Sequence, residues 1–231
     1  MKVLIACEES QTVCKAFRAR GHEAYSCDIQ EPSGGKPEWH ILGDALEAIK
    51  GGTIVTMDGQ THDVGKWDLL IAHPPCTYLT NAGAVRMRRN GEIVPERYHL
   101  AMEAKAFFME FYNADIPMIA GENPTPMKIV ELPPYTQAIQ PYEHGHPYSK
   151  RTCLWLKGLP KLYPTQIVTN HEPYVNGGCK DARGNYRRFQ GRKERDQKTR
   201  SKTFPGIAKA MAEQYGGDIR DEFTDGISSW R

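Results

Sequence analysis

Residues 67–83 read Trp67-Asp68-Leu69-Leu70-Ile71-Ala72-His73-Pro74-Pro75-Cys76-Thr77-Tyr78-Leu79-Thr80-Asn81-Ala82-Gly83. Residues 69–72 form a short apolar run with the length and composition of a buried strand. Two prolines end it, because proline cannot donate to a strand ladder. Cys76 follows directly, at the carboxyl end of the predicted strand. In open α/β sheets that end carries ligands and chemistry. A cysteine on a stiff Pro-Pro loop there is a candidate nucleophile. The competing reading is a small buried residue in a turn.

Pro74-Pro75-Cys76 followed by Thr80-x-Ala82-Gly83 resembles the catalytic loop of DNA cytosine carbon-5 methyltransferases, which reads Pro-Pro-Cys, a few residues, then Ser-x-Ala-Gly. The resemblance implies a Rossmann-like α/β fold that uses S-adenosyl-L-methionine, with DNA as the substrate and Cys76 as the nucleophile.

Residues 2–6 (Lys-Val-Leu-Ile-Ala) form a predicted first strand. A turn at Cys7-Glu8-Glu9-Ser10 leads into a helix over 11–20, with Val13, Ala16 and Phe17 on one face and Ser10 as its N-cap. Residues 23–27 form a second strand that ends at Asp28. A carboxylate there can accept hydrogen bonds from ribose hydroxyls, and the helix N-terminus faces the same ligand. Close approach of a pyrophosphate needs glycine in the first turn. This turn has two glutamates instead. That disfavours a dinucleotide and suits a cationic ligand without phosphate, as S-adenosylmethionine is. Ordinary turn acids are the alternative for Glu8, Glu9 and Asp28. Gly43-Asp44-Ala45 resembles the family's Gly-Asp element, whose aspartate contacts the adenine amino group. The cofactor set implied is Ala6, Glu8, Ser10, Asp28, Ile29, Asp44, Ala45 and Pro74. Residues 51–66 read as a small hairpin insertion turning at Asp58-Gly59.

Beyond the loop, Arg86, Arg88 and Arg89 precede a tight turn at Asn90-Gly91 and could contact phosphates; a solvated basic turn is the alternative. Residues 95–113 form the clearest helix, with Leu100, Ala104, Phe107, Phe108 and Phe111 expected in the core. Residues 117–120 are a buried strand ending at Gly121-Glu122-Asn123-Pro124. Cytosine is a poor electrophile at C6, and thiolate attack becomes feasible when N3 is protonated or strongly hydrogen-bonded. A glutamate in a water-poor site can do that. Glu122-Asn123-Pro124 resembles the family's Glu-Asn-Val element, with proline in place of valine. Residues 152–156 read as a strand. Arg151 before it matches in part the family's Gln-x-Arg-x-Arg element, whose arginines orient the catalytic groups.

Residues 180–202 hold ten Lys or Arg against three acids, interleaved with Tyr186, Phe189, Asn185 and Gln190. That composition suits a nucleic-acid surface, with a solvated loop as the alternative. A helix starting at Pro205 loosely resembles the family's final element, without its Asn-Ser. The expected organisation is a catalytic and cofactor-binding domain over 1–157, a small basic target-recognition region over 158–202, and a C-terminal helix over 203–231 that returns to the catalytic domain, its last residues from 218 a polar tail.

With 231 residues, 39% of them hydrophobic, the chain can bury one good core; a net charge of +2 indicates no partner class by itself. The six cysteines lack paired spacing and read as reduced thiols of a cytoplasmic protein. Residues 1–6 are too short an apolar run for a secretion signal, and no stretch approaches a membrane span. His144, His146, Cys153, His171 and Cys179 lack the spacing of a structural zinc motif, and no metal is expected. The compact size resembles the stand-alone methyltransferases of phages and prophages. Three other readings stay open: an amino methyltransferase acting on an exocyclic nitrogen, whose loop departs from His73-Pro-Pro-Cys76 at both ends; a non-catalytic nucleic-acid-binding protein; and RNA or a free nucleotide as substrate.

Overall fold

The structure is a computed structural model. It describes residues 1–175 and 200–217, together with the backbone of an antiparallel strand pair, Gly177–Lys180 and Tyr186–Phe189. Most of the basic segment and the polar tail therefore lie outside the described residues.

Short apolar runs buried on both faces set the architecture. The strands β1 (Lys2–Ala6), β2 (Glu23–Asp28), β3 (His40–Leu42), β4 (Leu69–Ala72) and β5 (Met118–Pro124) pair in parallel in the order β3-β2-β1-β4-β5. Two further strands, β6 (Gln137–Ile139) and β7 (Thr152–Lys157), complete a seven-stranded sheet of order β6-β7-β5-β4-β1-β2-β3. β7 is antiparallel to both of its neighbours. This is the expected Rossmann-like α/β fold, a mainly parallel sheet with helices packed on it. The strand order reverses at β1, so a crevice opens beyond the carboxyl ends of β1 and β4.

The helices are α1 (Thr12–Ala19), α2 (Ala45–Ala48), α3 (Pro95–Tyr112) and α4 (Pro205–Met211). Successive strand residues face opposite sides. Val3, Ile5, Leu69 and Ile71 pack on one side with Phe17 of α1 and with Ile207 and Met211 of α4. Leu4, Ala6, Leu70 and Ala72 pack on the other with Trp67, Ala45 and Phe111. Burying each Val, Leu or Ile contributes about 1.5–3 kcal/mol. α4 packs against the sheet on the α1 side and opens on Pro205.

One expectation about α3 is corrected. Its buried residues are Ala101, Phe108 and Phe111, whereas Leu100 is 38% exposed. The face turned inward is set by a partner distant in sequence: Phe108 meets Trp155 of β7 edge-on, with ring centroids 5.0 Å apart. The insertion at 51–66 is the expected hairpin. Gly52–Val55 pairs with Thr61–Gly65, and Gly59 takes φ 83° at the turn. Asn90 and Gly91 likewise adopt positive φ at the tip of a short Arg88–Arg89/Glu92–Ile93 hairpin. Among the described residues no helix is long and apolar enough to cross a membrane.

Candidate active site

The Pro-Pro-Cys loop leaves the sheet where its strand runs out of partners. Ala72 pairs with Ala6 on one side and Gly121 on the other. His73 makes one last ladder bond, donating its N–H to the Ala6 carbonyl at 2.9 Å. Pro74 and Pro75 then carry no N–H to continue it. The Cys76 carbonyl accepts from the N–H groups of Leu79 (3.1 Å) and Thr80 (3.0 Å), which closes the loop into a turn. Cys76 is left half-buried on a cleft of about 170 Å³ that Glu9, Pro74, Glu122 and Lys150 also line.

Glu122 was expected just after its strand, but it lies inside β5. The physical reason is the second neighbour. β4 pairs with β5 only as far as Gly121, while β7 pairs with it from Ile119 through Pro124, with Leu154 opposite Glu122. The antiparallel partner holds the backbone of Glu122 straight at the point where the parallel partner has ended. The carboxyl therefore reaches the cleft from a rigid strand, beside the loop of Cys76.

Two charged residues that sequence reasoning passed over complete this cluster. His73 Nδ1 lies 3.0 Å from Glu122 Oε2, and their side chains are only 11% and 17% exposed. Lys150 lines the same cleft, its Nζ donating to the Arg200 carbonyl at 2.8 Å. Burial pushes the Glu122 carboxyl up, but the hydrogen bond and charge of His73, with Lys150, more than offset it and hold the carboxyl below the usual range. Burial pushes His73 down, and Glu122, helped by Glu8, more than offsets that and raises it. The Cys76 thiol is pushed up by burial and then by the Glu122 charge, with Lys150 opposing. The resting cluster is a thiol beside an ion pair.

Arg151 is placed differently from the expectation. It is exposed, donates to the Tyr135 hydroxyl at 2.8 Å, and does not line the cleft. Adjacent residues entering β7 point to opposite sides, so only one of the Lys150-Arg151 pair can face the cleft, and it is the lysine.

On the cofactor side, Ser10 is not the N-cap. That position is Gln11, in the left-handed conformation at φ 57°, and Ser10 Oγ instead lies 3.4 Å from Glu8 Oε1. Glu8 does the capping: its carboxylate accepts from the N–H groups of Val13 (2.7 Å) and Cys14 (3.2 Å). It is 4% exposed, so its first task is to satisfy the α1 terminus. Ala6 is fully buried and contributes backbone only, while Pro74 is buried against the cleft. Asp28 and Asp44 sit at the ends of β2 and β3, each accepting one local backbone hydrogen bond, from Gln30 and Leu46 respectively. They converge on Cys7: burial first, and then their charges, raise its thiol. Ile29, beside Asp28, is 80% exposed, and Ala45 is buried behind Asp44. Cys7 supplies at φ 59° the positive backbone angle that glycine would otherwise give. Three carboxylates, Glu9, Asp28 and Asp44, with one exposed apolar side chain fit a cationic, hydroxyl-bearing ligand such as S-adenosylmethionine. They do not fit a pyrophosphate.

Comparison with known proteins finds no matching family model and no matching curated protein. Among solved structures the chain is similar to a protein described as a DNA modification methyltransferase encoded within an E. coli prophage, at 15% identity and a TM-score of 0.43, covering 73% of this chain and 52% of that one. It is also similar to a mutant of Spodoptera frugiperda DNMT2, at 14% identity and a TM-score of 0.33, covering 75% of this chain and 55% of that one. The chain spans about half the length of each.

Proposed function

We propose that the protein methylates cytosine at carbon 5 in DNA, using S-adenosylmethionine and a transient covalent bond through Cys76. The observation that carries this reading is the convergence of a cysteine and a buried glutamate on one cleft, from the carboxyl ends of the adjacent strands β4 and β5.

Cys76 loses its proton to water and its sulfur bonds to C6 of the ring, as the C5–C6 π bond breaks and its electrons move into the ring. Glu122 stabilises the proton that N3 takes up as the ring becomes electron-rich. C5 is then nucleophilic. The cofactor, when bound, supplies an electrophilic methyl group on a sulfonium. Loss of the C5 proton and departure of the Cys76 sulfur restore the aromatic ring. Lys150 favours the thiolate, because its charge opposes the effects of burial and of Glu122 on Cys76. Asp28 and Asp44 are the residues that would hold the hydroxyl and amino groups of the cofactor, and Glu9 its cationic end. The target cytosine has to leave the base stack to reach a half-buried thiol, at a cost of a few kcal/mol. The basic composition of residues 180–202 supports a polyanionic substrate.

The test is incubation with labelled S-adenosylmethionine and oligonucleotides carrying 5-fluorocytosine. Fluorine at C5 blocks the final elimination, so the expected product is a denaturation-resistant adduct that disappears in Cys76→Ser. Methyl transfer to ordinary DNA without an adduct would mean nitrogen methylation. Neither adduct nor transfer would leave a binding protein or a different substrate.

A further inference from the structure

Attack on C6 has a requirement that Cys76 and Glu122 do not meet between them. N3 must gain a proton as the sulfur bonds, yet Glu122 is held ionised by the charges around it. A proton donor is needed behind the carboxylate. The structure offers one: His73 Nδ1 is 3.0 Å from Oε2, and His73 is the first residue beyond β4, fixed by its own backbone bond to Ala6. Its other ring nitrogen, Nε2, is buried and has no hydrogen-bond partner among the described residues. The imidazole is therefore anchored on one side only, to Glu122.

We propose that His73 is a positioning residue for this reaction: its Nδ1–H orients the Glu122 carboxylate and supplies, through Oε2, the proton that cytosine N3 receives. The inference rests on the cytosine-methylation reading above. In the forward step the Nδ1–H bond breaks as a proton passes to Glu122. The Glu122 O–H bond breaks as that proton passes to N3, and the Cys76 sulfur forms its bond to C6. When the sulfur leaves, N3 returns its proton by the same path, so His73 and Glu122 end as they began. The proton from C5 goes to water.

The groups that surround His73 come from each element packed against it. Glu122 lies on β5, Glu8 and Glu9 in the turn after β1, and Cys76 on its own loop; Lys150 precedes β7, and Arg200 and Lys202 precede α4. Glu8 supports a protonated imidazole and Lys150 opposes it, with Glu122 the strongest of the three. The residues of α4 that line a small cavity together with His73 and Glu122, namely Ile207 and Met211, are apolar. The pair is thus screened from solvent on the helix side.

The test measures release of tritium from C5 of cytosine in oligonucleotides without a methyl donor, which reads sulfur attack and N3 protonation apart from methyl transfer. Three forms are compared across pH: the wild type, His73→Asn, whose amide can still donate to Glu122 but holds no titratable proton, and His73→Ala. The wild type is expected to give a bell-shaped profile, the rise from Cys76 ionisation and the fall from loss of the His73 proton. His73→Asn should slow release by about 100-fold at neutral pH and lose the alkaline fall, with an unchanged KM for the oligonucleotide. His73→Ala should be slower still. A His73→Asn enzyme within about threefold of the wild type, or one that keeps the alkaline fall, overturns the proposal. Absence of release by the wild type from every cytosine oligonucleotide would instead remove the methylation reading on which the proposal stands. Because the variants could unfold, histidine ring resonances are also followed in the wild type and in Glu122→Gln. The His73 titration should move to lower pH in Glu122→Gln, and an unmoved titration again overturns the proposal.

Discussion

His73 and Glu122 are 49 residues apart in sequence and meet at 3.0 Å, Nδ1 to Oε2, where the pairing of two adjacent parallel strands ends. Each sits one residue past the last paired position of its own strand with the other: Ala72 faces Gly121, and the next residue on each side is a member of the pair. The register of β4 against β5 therefore brings the two side chains together. Their shifts in opposite directions describe one interaction and are counted once.

That pair sets a pH window for stability. Glu122 is depressed from an ordinary value of 4.5, so its contribution is present above that value and is lost as pH falls through the lower folded one. His73 is raised from 6.5, so its contribution is fully present below 6.5 and is lost as pH rises through the higher folded one. The stability difference between wild type and Glu122→Gln is expected to be greatest between about pH 4.5 and 6.5, at about 3 kcal/mol, and to shrink on both sides. Urea denaturation at a series of pH values measures it. A difference that is flat with pH would mean that the two groups do not form a charged pair.

Lys150 and Arg151 should behave differently although they are adjacent. Removing the charge of Lys150 in Lys150→Met lets the Cys76 thiol rise further, so alkylation of Cys76 by iodoacetamide near neutral pH should slow by about threefold or more. Arg151→Ala should leave that rate unchanged, since Arg151 bonds Tyr135 away from the cleft. Peptide mapping by mass spectrometry isolates the Cys76 signal. Equal slowing in both variants would put Arg151 back in the site.

Glu8 is a helix cap made from the residue four positions before α1. Glu8→Ala leaves the N–H groups of Val13 and Cys14 buried without their acceptor, and is expected to cost about 1–2 kcal/mol in chemical denaturation. Ser10→Ala should cost less, because the Ser10 hydroxyl accepts from the Thr12 N–H at 3.4 Å, longer than the 2.7 Å bond from Val13 to Glu8.

Asp28→Asn and Asp44→Asn should each weaken S-adenosylmethionine binding by about 10- to 100-fold, as loss of a charged hydrogen-bond acceptor costs roughly 1.5–3 kcal/mol. Isothermal titration calorimetry on the whole chain reads this directly. Unchanged affinity in both variants would place the cofactor elsewhere.

In the core, Phe108→Ala removes the ring that meets Trp155 and should destabilise the protein by about 3–5 kcal/mol. Leu100→Ala, on the neighbouring stripe of α3, should cost far less because Leu100 is 38% exposed. Thermal unfolding of the two variants side by side decides which stripe is the core.

The local signals in the chain were strong where a single run of residues carried them. The limits of β1 and β4, the hairpin at 52–65, the proline that opens α4 and the acids ending β2 and β3 all follow from apolar runs, prolines and glycines within a few residues. So does the placing of Cys76 at a strand's carboxyl end, because Pro74 and Pro75 forbid anything else. These are properties of backbone chemistry and need no distant partner.

Where the deciding partner was distant, the same reasoning fell short. Pro124 belongs to β5 only because Thr152 pairs with it, and Glu122 is held rigid only because Leu154 stands opposite. Lys150 rather than Arg151 enters the cleft because of the phase in which β7 joins the sheet. His73 looked like a mere departure from another family's loop until β5 placed a carboxylate beside it. Residue types and local turns are written in one dimension, so a cysteine, a glutamate and a set of acids at strand ends were legible along the chain. Which of those groups touch was decided by strand register, since a one-residue shift between β4 and β5 would turn each side chain to the opposite face.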